Sequence, residues 1–226
     1  MLFLGHTGLQ VSRVGCGGGG IGQVWGPTTE AECVRTIHRA LELGVNFFDV
    51  APAYGQGKAE EVLGRALQGR QEPVVIATKV RLAAQEMHDV AGAVRTSVEA
   101  SLRRLRRETV DVLHIHNRFT PRRGDLSDSL SAEDTLGPVL DAYRQMQHAG
   151  KTRFIGISAM EPDVPTVRRI MTKSGHMRFV HSRGKRGLFL GGYAFDRRCD
   201  FRCIIEPGEL VLPWSIFVHV LLDVLY

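Results

Sequence analysis

Cysteine is scarce: the 226 residues hold four, Cys16, Cys33, Cys199 and Cys203, and no two closely spaced doublets of the kind that grips zinc. That argues against a disulfide framework or a structural zinc module, and reduced thiols are the default. Missing too is a charged N-terminal segment running into an apolar stretch. No secretory leader is therefore visible, and a cytoplasmic setting is expected. Long apolar runs are also absent. A membrane helix needs about 20 mainly apolar residues, and the best candidate, residues 210–226, is broken by Pro213, Ser215, His219 and Asp223. Charge of one sign is not concentrated either. Residues 1–171 carry 21 basic and 19 acidic groups and residues 172–226 carry 8 and 5. In the tail Arg183, Lys185 and Arg186 form a short basic run, which reads as a solvated stretch. Neither nucleic acid nor a membrane is an expected partner.

At 43% hydrophobic and 23% charged, the composition is that of a globular chain able to bury a substantial core. Three apolar runs rich in β-branched or aromatic residues, Asn46 to Val50, Val74 to Val80 and Val110 to His116, read as buried parallel strands. Segments of helical period lie between them, the pattern of a parallel sheet with helical crossovers. The expected class is α/β, a TIM-type β/α barrel. Such barrels typically take about 250 residues, so the chain is short for eight units. The expectation is an incomplete barrel of five to six units over residues 1–171, with an N-terminal hairpin and an irregular tail over 172–226, first basic and then apolar.

The hairpin is expected within residues 2–12 around the Gly5 to Gly8 turn, with a first core strand near Val14 to Gly17. Thr29 and Glu32 are spaced as a capping box for a helix that carries Val34, Ile37 and Leu41 on one face and stops at Gly44. Further helices are expected from Lys58 to Leu67, Asp89 to Arg106 and Pro138 to His148, the last opening on its proline. A fifth strand follows at Thr152 to Ser158, then a helix with Pro162 and Pro165 in its first turn that fades near Met171. A polar stretch from Asn117 to about Asp134 is long enough to be a binding loop. Barrel strands left without neighbours would expose backbone donors and acceptors, so self-association through an open edge or the apolar tail is expected unless something covers it.

Gly15, Gly17 and Gly20 match a G-x-G-x-x-G dinucleotide fingerprint in form. The context fails, because Trp25, Gly26 and Pro27 intervene before the next helix, whose N-terminus would have to meet the pyrophosphate. The more telling pattern is four polar residues at or just past the ends of consecutive strands: Asp49, Tyr54, Lys79 and His116. On a β/α barrel these ends converge on the face where chemistry is done. Taken singly, Asp49 and Lys79 are also consistent with a structural ion pair and Tyr54 with a rim residue. His114 shares a strand side with His116 and reads as a core histidine.

In GVNFFDVAPAYG (Gly44 to Gly55), AEEVLGRAL, VVIATKV, VDVLHIHN and GKTRFIGIS (Gly150 to Ser158), taken in order, the chain resembles an aldo-keto reductase over about residues 1 to 171. The resemblance implies NADP(H)-dependent reduction of a small carbonyl substrate by a tetrad of Asp49, Tyr54, Lys79 and His116. In that scheme Tyr54 is the proton donor. A free phenol has a pKa of about 10, so the implied role of Lys79 is to favour the phenolate, and that of Asp49 is to hold Lys79 charged. His116 would orient the carbonyl. Ser158 resembles the family's hydroxyl contact to the nicotinamide carboxamide, although Ala159 stands where an Asn often follows. Trp25, Asn117, Arg118 and Phe119 sit in loops that either line a substrate pocket or cap the barrel. The opposing reading is a non-catalytic barrel remnant that binds a partner.

Overall fold

Alternation along four neighbouring strands divides the interior of the molecule from its helical coat. A computed structural model describes residues 1–4, 7–160, 163–175, 177–183 and 218–220. The main sheet contains β3 (Val14–Gly17), β4 (Phe47–Asp49), β5 (Val75–Val80), β6 (Val110–Ile115), β9 (Thr152–Met160) and β10 (Met177–Arg183). All six pair in parallel in the order β10-β9-β6-β5-β4-β3. This is an incomplete TIM-type β/α barrel.

On one side of these strands Phe48, Ile76, Val80, Leu113, Ile115, Ile155 and Ile157 join the cluster built with the helices. On the other side Phe47, Val75, Ala77, Val112 and Phe154 form a second cluster inside the sheet's curvature. The expected hairpin is present: β1 (Leu2–Phe3) and β2 (Gln10–Val11) pair antiparallel. Leu4, Leu9 and Val11 join the inner cluster and close the floor. The floor is thus apolar, while the next inward positions along the strands are polar.

The helices follow their sequence signals closely. Helix α1 (Glu30–Glu42) opens on the Thr29–Glu32 capping box and buries Cys33, Ile37 and Leu41. Helix α2 (Lys58–Ala66) starts from Gly57, which is left-handed at φ 92°. Helix α3 (Val90–Leu105) is capped by Asp89 and stopped by left-handed Arg106.

The helix expected from Pro138 begins earlier. Ser131 caps α4 (Ala132–Asp134), its hydroxyl accepting from the Asp134 amide while the Asp134 carboxylate accepts from the Ser131 amide. A π turn over Thr135–Val139 carries Pro138 and leads into α5 (Leu140–His148). The helix is kinked there: Gly137, just before the proline, has φ −97° and ψ −111°, outside the helical region that a residue preceding proline avoids. The stretch expected as a loop contains two short strands, β7 (Arg118–Phe119) and β8 (Ser129–Leu130), which pair with each other.

Helix α6 (Val164–Ser174) has Asp163 as its cap and Pro165 in its first turn; Pro162 lies outside the described residues. It runs past Met171, and the alternation continues into β10. Of the tail, β11 (Val218–Val220) is described: it pairs antiparallel with β3, Val218 opposite Cys16 and Val220 opposite Val14. The outer edge of β3 is thus covered by part of the apolar tail. No helix among the described residues is long and apolar enough to cross a membrane.

Candidate active site

Lys79 is the centre of the polar layer above the inner apolar cluster. It follows Val75 and Ala77 on the inward side of β5 and is 0% exposed, a position at which an ammonium requires compensation. Its Nζ donates to Asp49 Oδ1 at 2.6 Å and to the Val50 carbonyl at 2.9 Å. Asp49 ends β4 on the inward side and is itself buried. The same Nζ lies 4.8 Å from the centre of the Tyr54 ring, with the phenol as a hydrogen-bond partner. Burial pulls the Lys79 pKa down, but the Asp49 carboxylate and the Tyr54 phenol together outweigh it, and the net direction is upward. Lys79 is therefore held as a cation.

His116 stands just past the end of β6, with its backbone N–H bound to the Val80 carbonyl at 2.8 Å. Its ring meets the Tyr54 ring edge-on, 6.1 Å between centroids with planes at 89°. Tyr54 and His116 are both half-buried. The structure thus gathers all four expected residues into one cluster: a carboxylate and an ammonium in the interior, a phenol and an imidazole toward the opening.

The remaining candidates divide. Ser158 lies two positions beyond Gly156 on the inward side of β9, buried, one strand away from His116. Trp25 is 38% exposed and its ring covers Gly19, where an added Cβ would come within 2.2 Å of it. Phe119 is fully buried in the helix-side core. Asn117 is also buried. Its Oδ1 accepts from the Leu82 amide, and its Nδ2 donates to the Leu82 and Asp128 carbonyls, at 3.0, 2.7 and 2.8 Å. That pins the loops after β5 and β6 together. Arg118 is half-buried.

Two contributors had no reading as site residues in the sequence. The first is the glycine run after β3. The Gly18 amide donates to the Asp49 carbonyl at 2.7 Å. A Cβ on Gly22 would come within 2.6 Å of the Tyr54 backbone, and one on Gly55, at φ +66°, within 2.2 Å of the Gly22 carbonyl oxygen. These glycines let two backbones touch, and that contact carries Tyr54. The fingerprint reading looked for a phosphate cradle, but residues 18–25 are turns and bends, and α1 begins only at Glu30. The second contributor is Tyr143, fully buried on α5. Its hydroxyl reaches the His114 carbonyl at 3.0 Å and the Val80 carbonyl at 3.4 Å, tying the ends of β5 and β6 beside His116. Burial drives its phenol well above the usual value of 10.0.

Comparison with known proteins bears on the family and the fold. The aldo/keto reductase family model matches residues 13–184. The chain belongs to that family. It is 37% identical over 166 residues to L-galactose dehydrogenase of Arabidopsis thaliana, covering 72% of this chain and 49% of that protein. Among solved structures, glycerol dehydrogenase from Gluconobacter oxydans superposes with a TM-score of 0.59 at 30% identity, over 76% of this chain and 51% of that one. An aldo-keto reductase from Klebsiella pneumoniae, solved in complex with NADPH, shares the fold at 24% identity and a TM-score of 0.56, over 74% of this chain and 52% of that one. The chain thus spans about half the length of the relatives it matches. The matched stretch runs beyond Met171, through the strand β10 that sequence periodicity alone did not reveal.

Proposed function

We propose that this chain acts as an NADP(H)-dependent oxidoreductase that interconverts a small carbonyl compound and its alcohol. The observation that carries the reading is the placement of Lys79 Nζ, 2.6 Å from Asp49 Oδ1 and 4.8 Å from the Tyr54 ring centre. Bound NADP(H) would supply or accept the hydride. The inward hydroxyl of Ser158, at the end of β9, fits the nicotinamide end of that cofactor, the contact implied by family resemblance.

Tyr54 gives its hydroxyl proton to the carbonyl oxygen as negative charge develops there. The phenolate left behind faces the Lys79 ammonium, which stabilises it with little rearrangement because both groups are already in place. Asp49 keeps that ammonium charged in a buried position. His116, edge-on to the Tyr54 ring, orients the carbonyl oxygen toward the phenol. In the oxidative direction the same groups act in reverse, with Tyr54 as proton acceptor. The names of L-galactose dehydrogenase and glycerol dehydrogenase support small hydroxylated carbonyl compounds as the substrate class. The free thiols of Cys16 and Cys33 suit a reducing, cytoplasmic setting.

The test has two stages. NADPH titrated into the purified protein is expected to change its nucleotide fluorescence saturably. Tyr54→Phe is then expected to keep that titration and to lose carbonyl reduction by about 10²-fold or more. Equal rates for the two proteins would overturn the assignment. One observation favours a second reading, a non-catalytic barrel that binds a partner: the match to only half the length of its relatives. Absence of both NADPH binding and turnover in the intact protein would decide for it.

A further inference from the structure

Directly behind β5, on the side opposite Lys79, lies a second buried charge. Glu60, in the first turn of α2, is 0% exposed. Thr78 Oγ1 donates to its Oε1 at 2.6 Å, and Arg104 of α3 donates through Nε and Nη2 to its Oε2, both at 2.7 Å. The Arg104 Nη2 also donates to Ser101 Oγ at 3.3 Å. Two glycines make room for the arginine. A Cβ on Gly57 would lie 2.7 Å from Arg104 Cδ, and one on Gly64 would lie 2.4 Å from the Arg104 carbonyl oxygen. Both carboxylate oxygens thereby accept hydrogen bonds.

Such a network is a poor device for stability alone. A buried ion pair is often no better than apolar residues of similar volume. What it does supply is fixed geometry between α3, the strand β5 that carries Lys79, and α2, which follows the turn bearing Tyr54. Thr78 immediately precedes Lys79. Glu60 follows the turn that bears Tyr54, and that turn is bonded into the start of α2: the Ala59 amide donates to the Tyr54 carbonyl at 3.2 Å, and the Lys58 amide to the Gly55 carbonyl at 3.0 Å. The path from phenol to ammonium is short: the hydrogen-bonded turn after Tyr54, the Glu60–Thr78 hydrogen bond and the Thr78–Lys79 peptide link.

We propose that Glu60, clamped between Thr78 and Arg104 behind the sheet, is a positioning residue that sets the spacing of Tyr54 and Lys79. The proposal rests on the tetrad reading above and assigns Glu60 no contact with substrate or cofactor. Its test is the titration midpoint of the Tyr54 phenol, read as the difference in ultraviolet absorbance between each protein and its Tyr54→Phe counterpart.

Lys79→Met is expected to raise that midpoint by about 1–3 pH units, because an adjacent cation favours the phenolate. Glu60→Gln is expected to raise it as well, by about half as much, as Tyr54 drifts from Lys79. The sign is diagnostic. Loss of a nearby negative charge acting only through its field favours the phenolate and lowers the midpoint, so a fall refutes positioning. Thr78→Val removes the same link without changing any charge and is expected to move the midpoint upward. Val62→Ala, a buried α2 change outside the network, loosens the fold and leaves the midpoint where it was. If Glu60→Gln does not fold, Glu60→Gln/Arg104→Met leaves no buried charge unpaired and takes its place. A midpoint that moves with Lys79→Met but with neither Thr78→Val nor the Glu60 variants overturns the positioning role alone. One unmoved by Lys79→Met overturns the tetrad reading beneath it.

Discussion

Asp49→Asn keeps the shape of the side chain that faces Lys79 and removes its charge. In the native protein the ammonium is fully enclosed, and Asp49 Oδ1 is 2.6 Å away. Breaking a buried pair from one side costs about 3–5 kcal/mol, because the charge left behind is uncompensated. With a urea dependence near the upper end of about 1–3 kcal/mol per molar, the unfolding midpoint falls by roughly 1–2 M. The pH dependence carries more information than the size. In the native protein burial lowers the Lys79 pKa, the Asp49 and Tyr54 contributions raise it, and the net value lies above the ordinary 10.5. Stability from this group is therefore fully present below 10.5 and lost as pH rises through the folded value. With the Asp49 charge gone, burial dominates and the folded value drops below 10.5. The unfolded chain then binds more protons between the two values, and stability rises with pH up to about 10.5. Urea midpoints from about pH 8 to 10 are expected to be flat for the native protein and to climb for Asp49→Asn, with Lys79→Met added to the variant abolishing the climb and recovering most of the loss. Parallel profiles for native and variant would refute the reasoning.

Other perturbations separate stability from site geometry. Gly22→Ala would put a Cβ within 2.6 Å of the Tyr54 backbone, whereas Gly69→Ala, at φ +77°, meets nothing within 4 Å. Both are expected to destabilise, by about 1–3 kcal/mol from overpacking and about 1–2 kcal/mol from left-handed strain. Only Gly22→Ala is expected to cut kcat, by about 10²-fold, through displacement of Tyr54; an equal kcat for the two variants counts against the glycine contact. Thr29→Ala removes the α1 capping box and is expected to lower stability by about 1 kcal/mol in urea unfolding with unchanged NADPH titration. Tyr143→Phe leaves the His114 and Val80 carbonyls without the hydroxyl. A loss of about 1–2 kcal/mol is expected by urea unfolding, and no loss would show that water replaces it.

Much of this fold was legible because the signals are local. β5 and β6 match their apolar runs to within a residue at each end, since a buried parallel strand needs apolar residues on both faces. Thr29 and Glu32 announce α1 because their bonds are made within one turn. Asp49, Tyr54, Lys79 and His116 were readable as a set because a parallel barrel brings successive strand ends to one face. Ser131 and Asp134 have capping-box spacing at the start of α4, but Pro138 marks a later helix start in the sequence, and the kink at Gly137 that joins the two helical stretches has no simple signature. Phe119 is open in the sequence between lining a pocket and capping the barrel; the two-residue strand that carries it places it in the helix-side core. The work of Gly18 and Gly22 was illegible for a different reason: it depends on a second backbone crossing at touching distance, which no spacing along the chain encodes. Glu60 behaved similarly, for an acidic residue in a first helical turn ordinarily signals a dipole effect at the surface.

The pairing of β11 with β3 joins Val218 to Cys16, partners about 200 positions apart. At synthesis rates of about 5–20 residues per second, an emerging chain waits on the order of 10–40 s between making the first and making the second. Throughout that interval β3 carries a bare row of amides and carbonyls, and before it ends the strands that position Asp49, Lys79 and His116 have been made. The vulnerable period for this protein is thus its own translation, when a chaperone able to shield a strand edge would have the most to do.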